Sequence, residues 1–288
     1  NYIDGTSYND QKAIYSAFHS EANLYLEKSD KPYWRVPIKE YVGWFESNKS
    51  GQFNGRIGKV MSIDIEGNIA TAKVEILMPK KDMRFVDMFL LKKLDNDWKI
   101  LSKSAVKTEE TSHGNRILFI LSNAHFHGDS KLPAGVSFSE IVKAYDTFKK
   151  ASYIVDFVTP EGGSLPLSYI NTSEPIHKKY LYDADFMYAI EHTMKPKQVD
   201  ASLYQAVHYV GGSNAMYGVA ENEELQAISM HVYEKNNGIV SSVCHGTAGI
   251  VNLKTSDGKY LVDGKRISGY PESFENQSRA YFKEFPLL

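Results

Sequence analysis

The chain has 288 residues, 42% of them hydrophobic and 24% charged, with a formal net charge of −2 and a single cysteine. That length exceeds one ordinary compact domain, so two are expected, and the near-neutral charge gives no electrostatic basis for binding nucleic acid or an anionic membrane. No apolar run approaches the roughly 18 residues that a membrane span needs, and one cysteine forms no intrachain disulfide. The fold therefore needs no oxidising compartment. This favours a cytoplasmic setting, while a chain opening at Asn1 leaves room for a removed leader.

The first third reads as α+β. Ile14, Phe18 and Leu24 share one helical face, which predicts a helix over residues 10–26. A second, short helix is expected over 38–45, carrying Tyr41, Trp44 and Phe45. Met61, Ile63 and Ile65 then alternate with polar residues. After Glu66-Gly67-Asn68 the period of two resumes at Ala70, Ala72, Val74 and Ile76, a hairpin signal. A second hairpin is predicted over 84–101, turning at 95–97. Residues 107–115, KTEETSHGN, are polar and without apolar period, and read as a linker between residues 1–106 and 116–288.

Beyond the linker the rhythm changes to strand, helix, strand. Residues 116–121, RILFIL, form a continuous apolar run of the kind buried on both faces of a parallel sheet. Phe138, Ile141, Val142, Tyr145 and Phe148 make one helical stripe over 138–151. Strands at 153–158, 206–210 and 239–243 alternate with helices at 184–193 and 221–236, and another helix opens at Gly246. The alternation predicts a doubly wound α/β domain.

Ligands of such sheets bind at the carboxyl ends of the strands, where Cys244 sits with His245 and Gly246 directly after it. A tight strand-to-helix turn aims a thiol outward and faces it with backbone N–H groups and a helix N-terminus, lowering its pKa. Free cysteines are also commonly inert core residues, and periodicity alone supports both readings equally. Tyr217 lies beside the glycine pair Gly211-Gly212 and is a candidate pocket residue. The pair His125 and His127 has metal-ligand spacing but no third ligand at sensible spacing, so it reads as ordinary loop histidines. No metal site is expected of this pair.

Residues 242–270, SVCHGTAGIVNLKTSDGKYLVDGKRISGY, resemble the nucleophile elbow and following hairpin of the ThiJ/PfpI superfamily, roughly A-V-C-H-G-P-A-G-L. In family order, 134-AGVSFSEI-141 resembles G-x-W-x-x-E-x, 156-DFVTPEGGSLPL-167 the S-P-x-G-G strand end, and 207-VHYVGGSNAM-216 the G-G-H-G loop. The match spans about residues 110–288 and is nearest to the chaperone-like glyoxalase III branch, often described as intracellular proteases or amidases. It implies a flavodoxin-like, class I glutamine-amidotransferase-like domain. It also implies Cys244 as nucleophile, His245 as the adjacent triad histidine and Glu140 as the acid beside the thiol. Glu275 is the positional match to the third triad member, with Glu272 as the alternative. Gly212 and the His245 amide match the oxyanion donors, and Gly211, Ser213 and Gly246 belong to the same pocket. This chain departs from the pattern at Ser213 (usually histidine), Gly218 (usually aspartate) and Ser168 (usually aspartate). The implied activity is conversion of a small 2-oxoaldehyde such as methylglyoxal to a 2-hydroxy acid, with no metal or organic cofactor required. A non-catalytic redox-sensing or chaperone-like role, and an amidase or peptidase role, are the alternatives.

In the first third, 17-AFHSEANLYL-26 and 84-RFVDMFLLKKLDNDWKILSK-103 resemble the nuclear-transport-factor-2-like superfamily, in its SnoaL-like and lumazine-binding branch. That resemblance implies a cone, a curved antiparallel sheet wrapped around helices, with a pocket or a dimer surface on the sheet face. An accessory role and a homodimer are expected. His19 reads as a packed or surface helix residue rather than part of the cone lining.

Overall fold

The computed structural model describes residues 1–28, 30–108, 115–271 and 273. The chain divides into two compact units, one within residues 1–113 and one within 114–288. Among the described residues no helix is long and apolar enough to cross a membrane.

The first unit runs α1 (Tyr2–Ser7), α2 (Gln11–Ala17), β1 (Phe18–Lys28), β2 (Lys31–Pro37), α3 (Ile38–Val42), β3 (Ile57–Glu66), β4 (Ile69–Met78), β5 (Met83–Leu94) and β6 (Asp97–Lys107). Asp10 caps α2, its carboxylate accepting from the Ala13 N–H at 3.0 Å. The expected helix over 10–26 is corrected here: it stops at Ala17, and 18–28 is a strand. Ile14 and Phe18 satisfy a helical spacing, but Ala22 and Leu24 are buried at a period of two, and sheet pairing on both sides decides the conformation.

The six strands form one sheet in the order β2-β1-β6-β5-β4-β3. Its pairs are antiparallel except β1 with β6, which run parallel. The sheet is therefore mixed rather than wholly antiparallel; no hairpin joins β1 to β6, so no tight turn dictates their direction. Both expected hairpins are present. Asp95 and Asn96 between β5 and β6 adopt positive φ, +48° and +71°, as the two-residue turn favoured by strand twist requires. One face of the sheet buries Val74, Ile76, Phe89 and Ile100 against Ile14, Ile38 and Tyr41 from the helices.

Inside this unit lies a buried polar cluster. Asp87 Oδ2 accepts from Lys103 Nζ at 2.8 Å and from the Tyr2 hydroxyl at 2.8 Å. Arg56 Nη2 stands 3.0 Å from the Tyr2 oxygen and 3.5 Å from Asp87. Burial raises the Tyr2 phenol well above its ordinary value, so it stays a donor to Asp87.

The second unit contains β7 (Arg116–Ile120), β8 (Val136–Ser137), α4 (Phe138–Lys150), β9 (Ile154–Val158), β10 (Leu167–Ser168), α5 (Pro175–Leu181), α6 (Ala184–Glu191), β11 (Ala206–Tyr209), α7 (Glu223–Glu234) and β12 (Ile239–Ser242). Strands β12, β11, β7 and β9, in that order, form an all-parallel sheet, and β8 pairs with β10 beside it. Ile117, Phe119, Val155 and Phe157 pack against Phe138, Ile141 and Val142 of α4 and Phe186 and Ile190 of α6. Tyr209, in register with Ile120, points to the opposite face and meets Ser229 of α7 at 2.6 Å. Helices thus cover both faces, which explains the unbroken apolar runs of β7 and β9.

His208 on β11 packs among Phe119 and Phe148, with Nδ1 at 2.9 Å from Ser241 Oγ and Nε2 buried without a hydrogen-bond partner among the described residues. Burial lowers its pKa to about 4. The unfolded chain, titrating near 6.5, binds the extra proton first as pH falls, so this contribution is complete above pH 6.5 and is lost progressively toward pH 4. Urea unfolding is expected to show about 2 kcal/mol less stability at pH 5 than at pH 7 from this residue. His208→Leu should flatten that difference; an unchanged pH dependence in the variant would remove His208 as its source.

Candidate active site

The elbow forms where β12 ends. Val243 donates its N–H to the Tyr209 carbonyl at 3.0 Å, prolonging the pairing of β12 with β11 by one bond. Cys244 then turns out of the sheet with φ +54°, a left-handed conformation unusual for a residue with a side chain. The chain continues as a 3₁₀ helix, Cys244–Ile250, instead of the expected α-helix from Gly246. Its turn closes through the Gly246 N–H, which donates to the Val243 carbonyl at 2.9 Å.

Among the described residues, two ionisable side chains stand at the sulfur. His245 Nδ1 lies 3.4 Å from Cys244 Sγ. Glu140, in the first turn of α4, is hydrogen-bonded to the Cys244 thiol, to the Ser137 side chain and to the Gly211 N–H, the last at 2.9 Å. Burial raises the Glu140 pKa; the hydrogen bonds from Cys244, Gly211 and Ser137, and the charge of His245, pull it down without cancelling that effect. The carboxyl is thus a readier proton carrier than a surface glutamate.

The glycine pair explains how that carboxyl reaches the thiol. Ser137 and Glu140 have the S-x-x-E spacing of a capping box, in which glutamate would return to the backbone of its own N-cap. Here the Ser137 N–H donates instead to the Gly211 carbonyl at 3.2 Å, and Gly211 returns its own N–H to Glu140. A Cβ on Gly211 would stand 2.5 Å from Glu140 Oε2, 2.8 Å from the Val243 carbonyl and 2.9 Å from Cys244 Cβ, so glycine is required by close approach. Gly212, at φ +117°, bridges to Val136 and fixes this loop against β8. The amides of Gly211 and Gly246 are therefore engaged in building the turn.

The remaining expected site residues distribute as follows. Ser213 Oγ accepts from the Gly135 N–H at 3.2 Å, tying the loop after Gly212 to the segment before β8. The Tyr217 hydroxyl is 3.3 Å from Nδ1 of the buried His127, while His125 is exposed, so the two histidines do not share a site. No group of three metal-binding side chains occurs among the described residues. His19 sits on β1, its Nδ1 accepting from the Glu21 N–H. Glu275 and Glu272 lie outside the described residues.

Two contributors were not anticipated. Ser137 holds Glu140, and its sequence signal is the S-x-x-E spacing itself. Tyr270 stacks on the His245 ring, centroids 4.5 Å apart at 26°. Nothing local to either residue announces that contact.

Comparison with known proteins accounts for both units. Residues 1–104 match the family model described as "Putative lumazine-binding". The probable glutathione-independent glyoxalase SNO4 of Saccharomyces cerevisiae is 30% identical over 167 residues, 54% of this chain and 68% of that protein. The chain belongs to the glutathione-independent glyoxalase family. Glyoxalase HSP31 of the same yeast is 31% identical over 159 residues, 52% of this chain and 65% of its own length. Candida albicans glyoxalase III, at 24% identity, shares the fold with a TM-score of 0.53 over 61% of this chain and 77% of that one. The matching N-terminal domain of this chain is of the lumazine-binding, nuclear-transport-factor-2-like class.

Proposed function

We propose that the second unit is a cysteine-dependent, cofactor-independent enzyme that converts 2-oxoaldehydes such as methylglyoxal to 2-hydroxy acids, with Cys244 as nucleophile. The observation that carries this reading is the convergence of His245 Nδ1, 3.4 Å away, and the half-buried Glu140 carboxyl on the one thiol in the chain. The names of the related glyoxalases support it. The strand order, with helices on both faces, supports a doubly wound, flavodoxin-like domain. The helices packed on one face of the first sheet support a cone-like accessory domain, which we read as the homodimerising or small-molecule-binding part of the protein.

The steps follow from the thiol. Its proton passes to His245 Nδ1, and Sγ bonds to the aldehyde carbon, giving a hemithioacetal whose oxygen is stabilised by backbone amides of the elbow. Glu140 or His245 removes the proton from that carbon and returns one to the adjacent carbonyl carbon, while the hydroxyl proton passes from the first oxygen to the second, converting the adduct to the thioester of a 2-hydroxy acid. Water adds to the thioester, the carbon–sulfur bond breaks, and the thiol regains its proton. The sum is one aldehyde plus one water to one hydroxy acid, without net oxidation or reduction.

The test is turnover of methylglyoxal to lactate by the purified chain without glutathione. Glu140→Gln, which keeps an acceptor for the Gly211 N–H, is expected to lower kcat/KM by about a hundredfold. No turnover on any 2-oxoaldehyde would defeat the enzymatic reading, and a Glu140→Gln variant with near-normal kcat/KM would remove this carboxyl from the chemistry.

A further inference from the structure

We infer that Tyr270 is a positioning residue for the thiol–imidazole pair, keeping Nδ1 of His245 turned toward Cys244 and favouring the state in which the thiol proton sits on that nitrogen. The inference rests on the reading of Cys244 as nucleophile, and extends it to a residue far along the chain.

Three observations carry it. The Tyr270 ring lies nearly parallel to the imidazole, at 4.5 Å and 26°, so it covers one face of His245. A ring in that position resists rotation of the imidazole away from the sulfur, and its electron-rich face favours an imidazolium over a neutral ring. The segment bearing Tyr270 is also fastened to the elbow itself. Thr247 Oγ1 meets Ser242 Oγ at 3.0 Å and the Ser268 carbonyl at 3.4 Å. Gly269 packs so closely on Thr247 that a Cβ there would lie 3.3 Å from Thr247 Cγ2. Thr247 thus couples the end of β12, the turn carrying the thiol and the residues that deliver the ring.

The chemical consequence is confined to one proton. Transfer from Sγ to Nδ1 leaves a thiolate and an imidazolium side by side. Glu140 faces the sulfur as a hydrogen-bond partner, and Tyr270 faces the imidazolium. Removing the aromatic face disfavours the charged pair without touching the sulfur or the carboxyl.

The single cysteine makes the test direct, because alkylation by iodoacetamide reports Cys244 alone. The rate is measured against pH for the parent chain and for Tyr270→Phe, Tyr270→Leu and Tyr270→Ala, with thermal unfolding recorded for each. Tyr270→Phe should keep the parent midpoint, whereas Tyr270→Leu and Tyr270→Ala should raise it by about half a pH unit and slow alkylation at pH 7 about threefold. Leucine keeps the bulk, so if alanine loosens the segment the leucine variant still decides. Unchanged profiles in both aliphatic variants would overturn the inference, as would a midpoint shifted equally in Tyr270→Phe. Alkylation requires no 2-oxoaldehyde, so loss of the glyoxalase reading and loss of this one are separately visible.

Discussion

Cys244→Ala is expected to reduce conversion of methylglyoxal to lactate by roughly a thousandfold or more, leaving the unfolding transition essentially in place. The two halves of that expectation have different origins. Sγ is the atom on which His245 and Glu140 converge, so its removal leaves both without a partner for covalent chemistry. The fold should tolerate the change because alanine retains the Cβ and therefore bears the same left-handed backbone cost at φ +54° that cysteine already bears. Loss of activity together with loss of the cooperative transition would instead mark Cys244 as structural. Turnover retained in the variant would exclude the thiol as nucleophile.

The largest stability effect is expected in the first unit. Asp87→Ala should destabilise it by about 3–5 kcal/mol, read as a shift of its urea-unfolding midpoint. Asp87 and Lys103 are 1% and 4% exposed at the side chain, and Arg56 stands on the same carboxylate. Removing the anion leaves two cations facing each other and the Tyr2 hydroxyl across a site that water barely reaches. The cost is that of uncompensated charge, not of one lost ion pair. The companion variant Asp87→Ala/Lys103→Met should therefore be more stable than Asp87→Ala alone, by restoring apolar packing against Tyr2, Tyr41 and Phe89. A single-variant effect below about 1 kcal/mol would show that the cluster is solvated.

The second unit was largely legible because its signals are local. The apolar run of β7, the stripe of α4 and the small residues after Cys244 each have one reading within a dozen residues. In the first unit the two hairpins were visible from alternation and turn residues, yet β1 was misread, since Ile14 and Phe18 extend a helical spacing into a segment whose partners are strands. β2 was missed because it begins at Lys31-Pro32 and ends at Pro37, residues that suit an edge strand and weaken any strand pattern. At the site, Cys244 and His245 were legible as neighbours, and Glu140 only through resemblance, since alone it is a helix-face glutamate. What diverts it to the thiol is Gly211, distant in sequence, and the stack of Tyr270 on His245 depends likewise on how Thr247 fastens a remote segment. Such pairings come from topology and leave no periodic trace.

The exchange of hydrogen bonds between Gly211 and the Ser137–Glu140 turn has an evolutionary corollary. One of the bonds that orient the acid comes from a peptide N–H, that of Gly211, whereas Ser213 meets the neighbouring segment through its side chain. On the proposed reading of the site, substitution at Ser213 therefore changes that contact without removing the peptide donor to the carboxyl. Gly211, where any added carbon would collide with the carboxyl and the cysteine alike, is where that freedom ends.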